Sequence, residues 1–286
     1  MIEAARRLAA VLETTPYAGR LGLRTGDVMS DVVTASVPYV SALTNAQGFV
    51  HGGVAASLSL WSATIVAVAS DRDRAASARV VSASLSYLAA AREEALHATA
   101  RVASRGRDIV HVEVEVASER GREVASALVV LRMLPDEPRA LSRAAPRPVV
   151  EAGRNLISPF SQAMGIGVRA QDSTSVAMAM RHDINEGIGG AVDPGALVAL
   201  ADTCAALACL PSLDERLSGS ATLSLSAVFG DPLLVPALAA GKAVAEDGGL
   251  RSALVDVGAD GAAKAARLRA MTACVAYRFL SAESPR

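Results

Sequence analysis

Aromatic side chains make up only 3% of the 286 residues, so a core has to be packed from the Ala and Val that carry most of the 51% hydrophobic share. Small and β-branched side chains suit sheets, and strands are expected. Cys204, Cys209 and Cys274 are the only cysteines, an odd number without metal-like spacing. That argues against a disulfide framework and a metal site, and for reduced, buried thiols. The longest apolar stretch, 54–69, is interrupted by Ser57, Ser59, Ser62 and Thr64 and falls short of the roughly 20 apolar residues of a membrane span. A net charge of −1 with scattered arginines offers no broad attraction for nucleic acid. The opening Met1-Ile2-Glu3-Ala4-Ala5-Arg6-Arg7 carries an acid at once and leads into a helical pattern rather than an apolar core with a cleavage site. A cytoplasmic protein with neither nucleic-acid nor membrane partner is expected.

What the chain does have is a repeat, which changes how every motif is read. Thr15-Pro16-Tyr17-Ala18-Gly19-Arg20-Leu21-Gly22-Leu23 is echoed by Ser158-Pro159-Phe160-Ser161-Gln162-Ala163-Met164-Gly165-Ile166, with Pro on Pro, ring on ring and Gly on Gly at a spacing of 143. Gly53-Val54-Ala55 matches Gly195-Ala196-Leu197 at 142, and Ser84-Leu85-Ser86 matches Ser224-Leu225-Ser226 at 140. Ala127-Leu128-Val129-Val130 is answered by Ala273-Cys274-Val275-Ala276 at 146. Short loop insertions produce drift of this size. Between the copies, 135–150 holds four prolines, which block both helix and central strand. The expected organisation is an N-terminal domain 1–134, a linker 135–150 and a C-terminal domain 151–286, a duplication that fused the subunits of a dimer.

Each copy reads the same way: a short helix (3–13; 152–164), a strand (31–38; 173–180), a Gly-containing loop, a long apolar helix (54–69; 196–210), then three strands. Val110-His111-Val112-Glu113-Val114-Glu115-Val116 alternates apolar and polar residues, the period of a strand with one wet face.

A long apolar helix opened by His51-Gly52-Gly53 and followed by strands resembles the hotdog fold of the PaaI-type acyl-CoA thioesterases. The likeness rests on Asn45-Ala46-Gln47-Gly48-Phe49-Val50-His51-Gly52-Gly53 in the first half and Ala199-Leu200-Ala201-Asp202-Thr203 in the second. The resemblance implies an α+β double hotdog, two antiparallel sheets each wrapping a long central helix, arranged as a pseudo-dimer. It also implies composite sites, with the His-Gly-Gly loop of one half facing the acidic helix residue of the other. Nine residues after His51 stands Leu60, and nine before Asp202 stands Asp193, so each half has lost what the other kept. One site, with Asn45, His51, Gly52 and Asp202, is chemically complete; the other, with Asp193, Gly195, Leu60 and Trp61, is not.

Thioester hydrolysis turns a carbonyl into an oxyanion, which a backbone N–H at a helix N-terminus stabilises; Gly52 fits. Asp202 lies in an apolar helix, where burying a carboxylate is costly, and it could serve as general base or as nucleophile. Asn45 could donate to the carbonyl or orient water. Gly53, Thr203, Ser220 and Thr222 are candidate substrate-binding positions, although hydroxyls are common on strands and either Ser220 or Thr222 alone reads as ordinary. His51 in this setting shapes the loop rather than moving protons, and Trp61 could fill the incomplete site. No cofactor is expected beyond the coenzyme A of the substrate, and the partner is an acyl-CoA or acyl-carrier thioester. A homodimer of the fused pair is open. Two other functions compete: a non-catalytic acyl-CoA binding or scaffold protein, and an enoyl-CoA hydratase-type enzyme suggested by His182-Asp183-Ile184-Asn185. Random decay has no reason to spare both members of one composite site, and no His follows Asn185 before the helix.

Overall fold

The computed structural model describes residues 2–71, 77–134, 154–155, 158–172, 175–209, 221–247 and 250–259. The linker, the segment 273–280 with Cys274, and Ser220 lie outside them. Helices α1 (Ile2–Glu13) and α2 (Pro16–Leu21) lead into strands β1 (Arg24–Val28) and β2 (Val32–Val37). The central helix α3 (Gly52–Ala69) precedes strands β3 (Ser77–Tyr87), β4 (Leu96–Arg105), β5 (Ile109–Ser118) and β6 (Glu123–Leu134). The second half runs β7 (Arg154–Asn155), α4 (Pro159–Ala163), β8 (Ile166–Gln171), β9 (Ser175–Met180), α5 (Pro194–Cys209), β10 (Ser224–Val228), β11 (Ala237–Asp247) and β12 (Leu250–Ala259).

All strand pairs among the described residues are antiparallel. One sheet has the order β1-β2-β4-β5-β6-β3-β10 and the other β12-β11-β9-β8-β7. Each wraps one long helix, the double-hotdog arrangement. Val110, Val112, Val114 and Val116 turn inward from β5 while Glu113 and Glu115 face water, so the alternation read in the sequence is the sheet's two faces. Helix α3 is apolar and long enough to cross a membrane by length and composition, more so than its interrupting hydroxyls suggest, yet 89% of it is buried inside the fold. Its serines are buried without penalty because Ser57, Ser59 and Ser62 donate to the carbonyls of Gly53, Ala55 and Leu58 one turn back.

The two halves meet on a pseudo-twofold axis. In the β3–β10 pair Leu85 faces Leu225, Ser86 faces Ser224 and Ser84 faces Ser226, so the equivalent Ser-Leu-Ser triplets pair with each other about the two leucines. The helices approach equally closely. A Cβ on Gly53 would lie 2.5 Å from the Cβ of Ala199, and one on Gly195 would overlap Ser57, the equivalent contact on the other side of the axis. Only glycine allows this approach. The ring motifs cross over as well: the Tyr17 amide donates to Glu186 O and the Phe160 amide to Thr44 O, so the short helix of each half docks on the loop of the other.

Three local expectations need correction. Strands β1 and β8 were not foreseen, because Arg24-Thr25-Gly26-Asp27-Val28 has no apolar alternation and is mostly exposed. Four strands, not three, follow α3, since the stretch 77–134 is long enough for two hairpins. Among the described residues of the helix expected over 152–164, Pro159–Ala163 is helical and Arg154–Asn155 pairs with β8 instead; Pro159 fixes the helix start.

Candidate active site

The loop before α3 is closed by its own polar groups. Asn45 Oδ1 accepts the amides of Gln47 and Phe49 at 2.9 and 3.1 Å, and the His51 amide donates to Leu43 O. The side-chain oxygen of Asn45 therefore holds the turn. His51 is the N-cap of α3, its Nδ1 accepting the Gly53 amide at 2.9 Å. An accepting Nδ1 carries no proton, which leaves Nε2 as the donor, 3.4 Å from Thr203 Oγ1. The ring stacks on Phe160 at 4.2 Å with an interplanar angle of 10°. Burial pushes its pKa down to about 4, so His51 is neutral at physiological pH and shapes the loop. The Gly52 amide, at the first turn of the helix, has no intrahelical acceptor within reach.

Asp202 projects from α5 of the other half toward that turn and is 4% exposed. Its Oδ1 accepts the Thr222 hydroxyl at 2.8 Å. Its Oδ2 lies 3.9 Å from His51 Nδ1, a contact with a neutral ring rather than an ion pair. A Cβ on Gly52 would stand 3.2 Å from Asp202 Oδ2, so the bare glycine leaves the space in which carboxylate and helix end meet. Burial raises the Asp202 pKa to about 6, against the Thr222 hydrogen bond that lowers it.

Other expected residues are placed differently. Gly53 has its amide on His51 and its α-carbon against Ala199, so it serves the helix contact. Thr203 donates to Ala199 O at 2.8 Å while its oxygen neighbours His51, and Thr222 orients Asp202. Two residues at the site were missed by sequence reasoning. Phe160 backs the imidazole, and its ring motif was visible as a repeat without a role. Tyr87, at the end of β3, places Cε1 and Cζ at 3.2 and 3.3 Å from the same Gly52 position; nothing in its neighbourhood of Leu and Ser signalled this.

Across the pseudo-axis the equivalent place is full. Asp193 stands where His51 does, Oδ1 accepting the Gly195 amide at 2.7 Å and Oδ2 the Trp61 indole N–H at 3.0 Å. Trp61 makes an edge contact with Tyr17, centroids 5.7 Å apart, and the Tyr17 hydroxyl bonds Ser57 at 2.9 Å. Leu60 is buried where the other site has Asp202. The His182-Asp183-Ile184-Asn185 segment closes its own loop: Asp183 pairs with Arg181, His182 Nε2 contacts Gly190 O, and Asn185 donates to Met164 O and Arg181 O.

Residues 40–132 match the family described as acyl-CoA thioesterase N-terminal domain. No curated protein matches the chain. Among solved structures, the tesB protein of Mycobacterium avium subspecies paratuberculosis aligns over 96% of this chain and 97% of its own, at 14% identity and a TM-score of 0.57. The E. coli PaaI protein from the phenylacetic acid degradation operon aligns over 46% and 94%, at 18% identity and a TM-score of 0.42. A hypothetical thioesterase protein from Streptococcus pneumoniae, solved with coenzyme A, aligns over 41% and 91%, at 19% and 0.37. Over almost its whole length the chain thus has the fold of a tandem hotdog protein, and within it residues 40–132 match the acyl-CoA thioesterase domain family.

Proposed function

We propose that the chain hydrolyses an acyl-CoA or acyl-carrier thioester at one composite site between half-domains 1–134 and 151–286. The Gly52 N–H receives the carbonyl oxygen as it becomes an oxyanion, with the α3 dipole behind it. Asp202 Oδ2 either takes the proton of an attacking water or attacks the carbonyl carbon itself to give a mixed anhydride that water then opens. Either way the C–S bond breaks, the thiolate leaves and takes up a proton, and a carboxylic acid remains. A carboxylate with a pKa of about 6 is ionised at neutral pH and still basic enough to accept a proton. The reading needs no cofactor beyond the coenzyme A of the substrate.

The observation that carries it is convergence: Asp202 Oδ2, from the second half, comes within 3.2 Å of the Cβ position of Gly52, from the first. The test is a hydrolysis screen over acyl-CoA chain lengths and aryl-CoAs, with Asp202→Asn as control. The variant is expected to lose about 10²-fold or more in kcat while Asp193→Asn keeps most of its activity. Equal loss in both variants, or none in either, overturns the one-site reading. Single-turnover hydrolysis in ¹⁸O water separates the two roles of Asp202, because only an anhydride intermediate can leave label in the protein.

A further inference from the structure

We propose that the hydroxyl of Tyr87 is a second hydrogen-bond donor to the thioester carbonyl oxygen, beside the Gly52 amide, an inference that rests on the one-site reading above. Three observations support it. First, the ring edge lies at the Gly52 turn, 3.2 and 3.3 Å from the Cβ position that Asp202 Oδ2 also approaches to 3.2 Å. The phenol thus borders the small volume where a reacting carbonyl must sit. Second, the hydroxyl is buried and has no hydrogen-bond partner among the described residues. A buried O–H without an acceptor destabilises the free protein, and an acceptor brought by the substrate removes that defect. Burial and the nearby Asp202 charge hold the phenol well above its ordinary pKa, so it keeps its proton and can donate.

The third observation is symmetry. In the repeat that aligns Leu85 with Leu225, the position of Tyr87 is taken by Ala227, which is buried and has nothing to donate. Tyrosine therefore stands in the half whose site has the capping His51 and faces Asp202, while alanine stands where the site is filled by Asp193 and Trp61. The backbone fixes the side chain: the Tyr87 amide donates to Leu223 O of the other half at 2.9 Å, at the end of the strand pair that joins the halves.

The discriminating variant is Tyr87→Phe, which keeps the ring and removes only the oxygen. Two readouts are combined. In turnover, kcat is expected to fall by about 10²-fold, the usual effect of losing one oxyanion donor, with KM raised by up to about tenfold through loss of the same contact to the ground-state carbonyl and the acid limb of the pH profile unmoved because Asp202 is untouched. In binding, the variant is expected to lose about tenfold in affinity for an acyl-CoA analogue with CH₂ in place of sulfur, which keeps the carbonyl. Its affinity for an S-alkyl-CoA thioether, which lacks the carbonyl, should be unchanged. Thermal stability of the free variant should equal or exceed that of the wild type, since no existing hydrogen bond is lost; that result also certifies the fold.

Wild-type kcat in the variant, an acid limb that shifts with the substitution, or equal loss of both analogues each overturns the donor role, leaving Tyr87 as a wall or as a modifier of Asp202. If the wild type hydrolyses no thioester, the hydrolytic reading fails, and the analogue pair alone still decides whether Tyr87 meets the carbonyl.

Discussion

The decisive residue-scale quantity is the ionisation of two buried aspartates. Asp202 and Asp193 both have pKa values raised to about 6, chiefly by burial. For hydrolysis through Asp202 this predicts a rate that rises with pH through about 6 and levels above it, measurable as kcat/KM against pH between 4.5 and 8. For stability the sign is fixed by linkage: in the pH interval between 3.8 and about 6 the folded protein holds protons that the unfolded chain has released. The associated stability is fully present below 3.8 and is lost as pH rises through about 6. Asp202→Asn should therefore lessen the decline seen in urea titrations across that interval and raise stability at pH 7 by up to about 3 kcal/mol, while lowering turnover by about 10²-fold or more. Asp193→Ala is a different case. It should leave turnover nearly intact but destabilise the fold by about 1–3 kcal/mol, because it removes a helix cap and leaves the buried Trp61 N–H unpaired. His51 and Asp202 were legible in the sequence because each motif was whole where its partner copy was broken. Tyr87 was not, since its importance lies in distance to a glycine 35 positions away in the chain.

At the scale of elements, the site is held by how closely α3 and α5 approach. Gly53 and Gly195 sit at equivalent contacts against Ala199 and Ser57, so each added methyl must push the helices apart. Gly53→Ala is expected to cost about 1–3 kcal/mol and to lower activity by displacing Gly52 from Asp202, although it removes no reacting group; thermal melts and kcat together check this. Gly52→Ala should instead leave the helix stable and block the cleft, since its Cβ would meet both Asp202 and Tyr87. The apolar helices and the alternating β5 were readable from composition and period. Strands β1 and β8 were not, because each has much of its length exposed, and such segments take their structure from the neighbours they pair with.

For the whole molecule, the pseudo-twofold axis through the Leu85–Leu225 pair makes two equivalent places, and on the proposed reading only the one with Asp202 and Gly52 takes substrate. A non-hydrolysable acyl-CoA analogue should bind with a stoichiometry of one per chain by calorimetry; two would contradict the filled state of the Asp193–Trp61 side. The crossing of Tyr17 and Phe160 onto the opposite halves adds a second connection besides the joined sheet. Phe160→Ala, which empties a fully buried ring site and uncovers His51, should cost about 3–5 kcal/mol and loosen the His51–Asp202 place more than the Asp193–Trp61 one.

By itself the sequence determined that the chain is a repeat, that each copy carries a long apolar helix and alternating strands, and that the candidate residues His51 and Asp202 stand in different copies, each without a counterpart of its own type in the other. Those features are encoded in residue order and period, which need no coordinates to read. Only the tertiary structure decided that the Asp202 carboxylate lies beside the Gly52 turn, that Asp193 and Trp61 bond to each other at the equivalent place, and that a buried tyrosine oxygen without a partner among the described residues stands near Gly52. Such facts depend on distances between groups far apart in sequence, set by helix packing and strand register, and no local pattern of side chains records them.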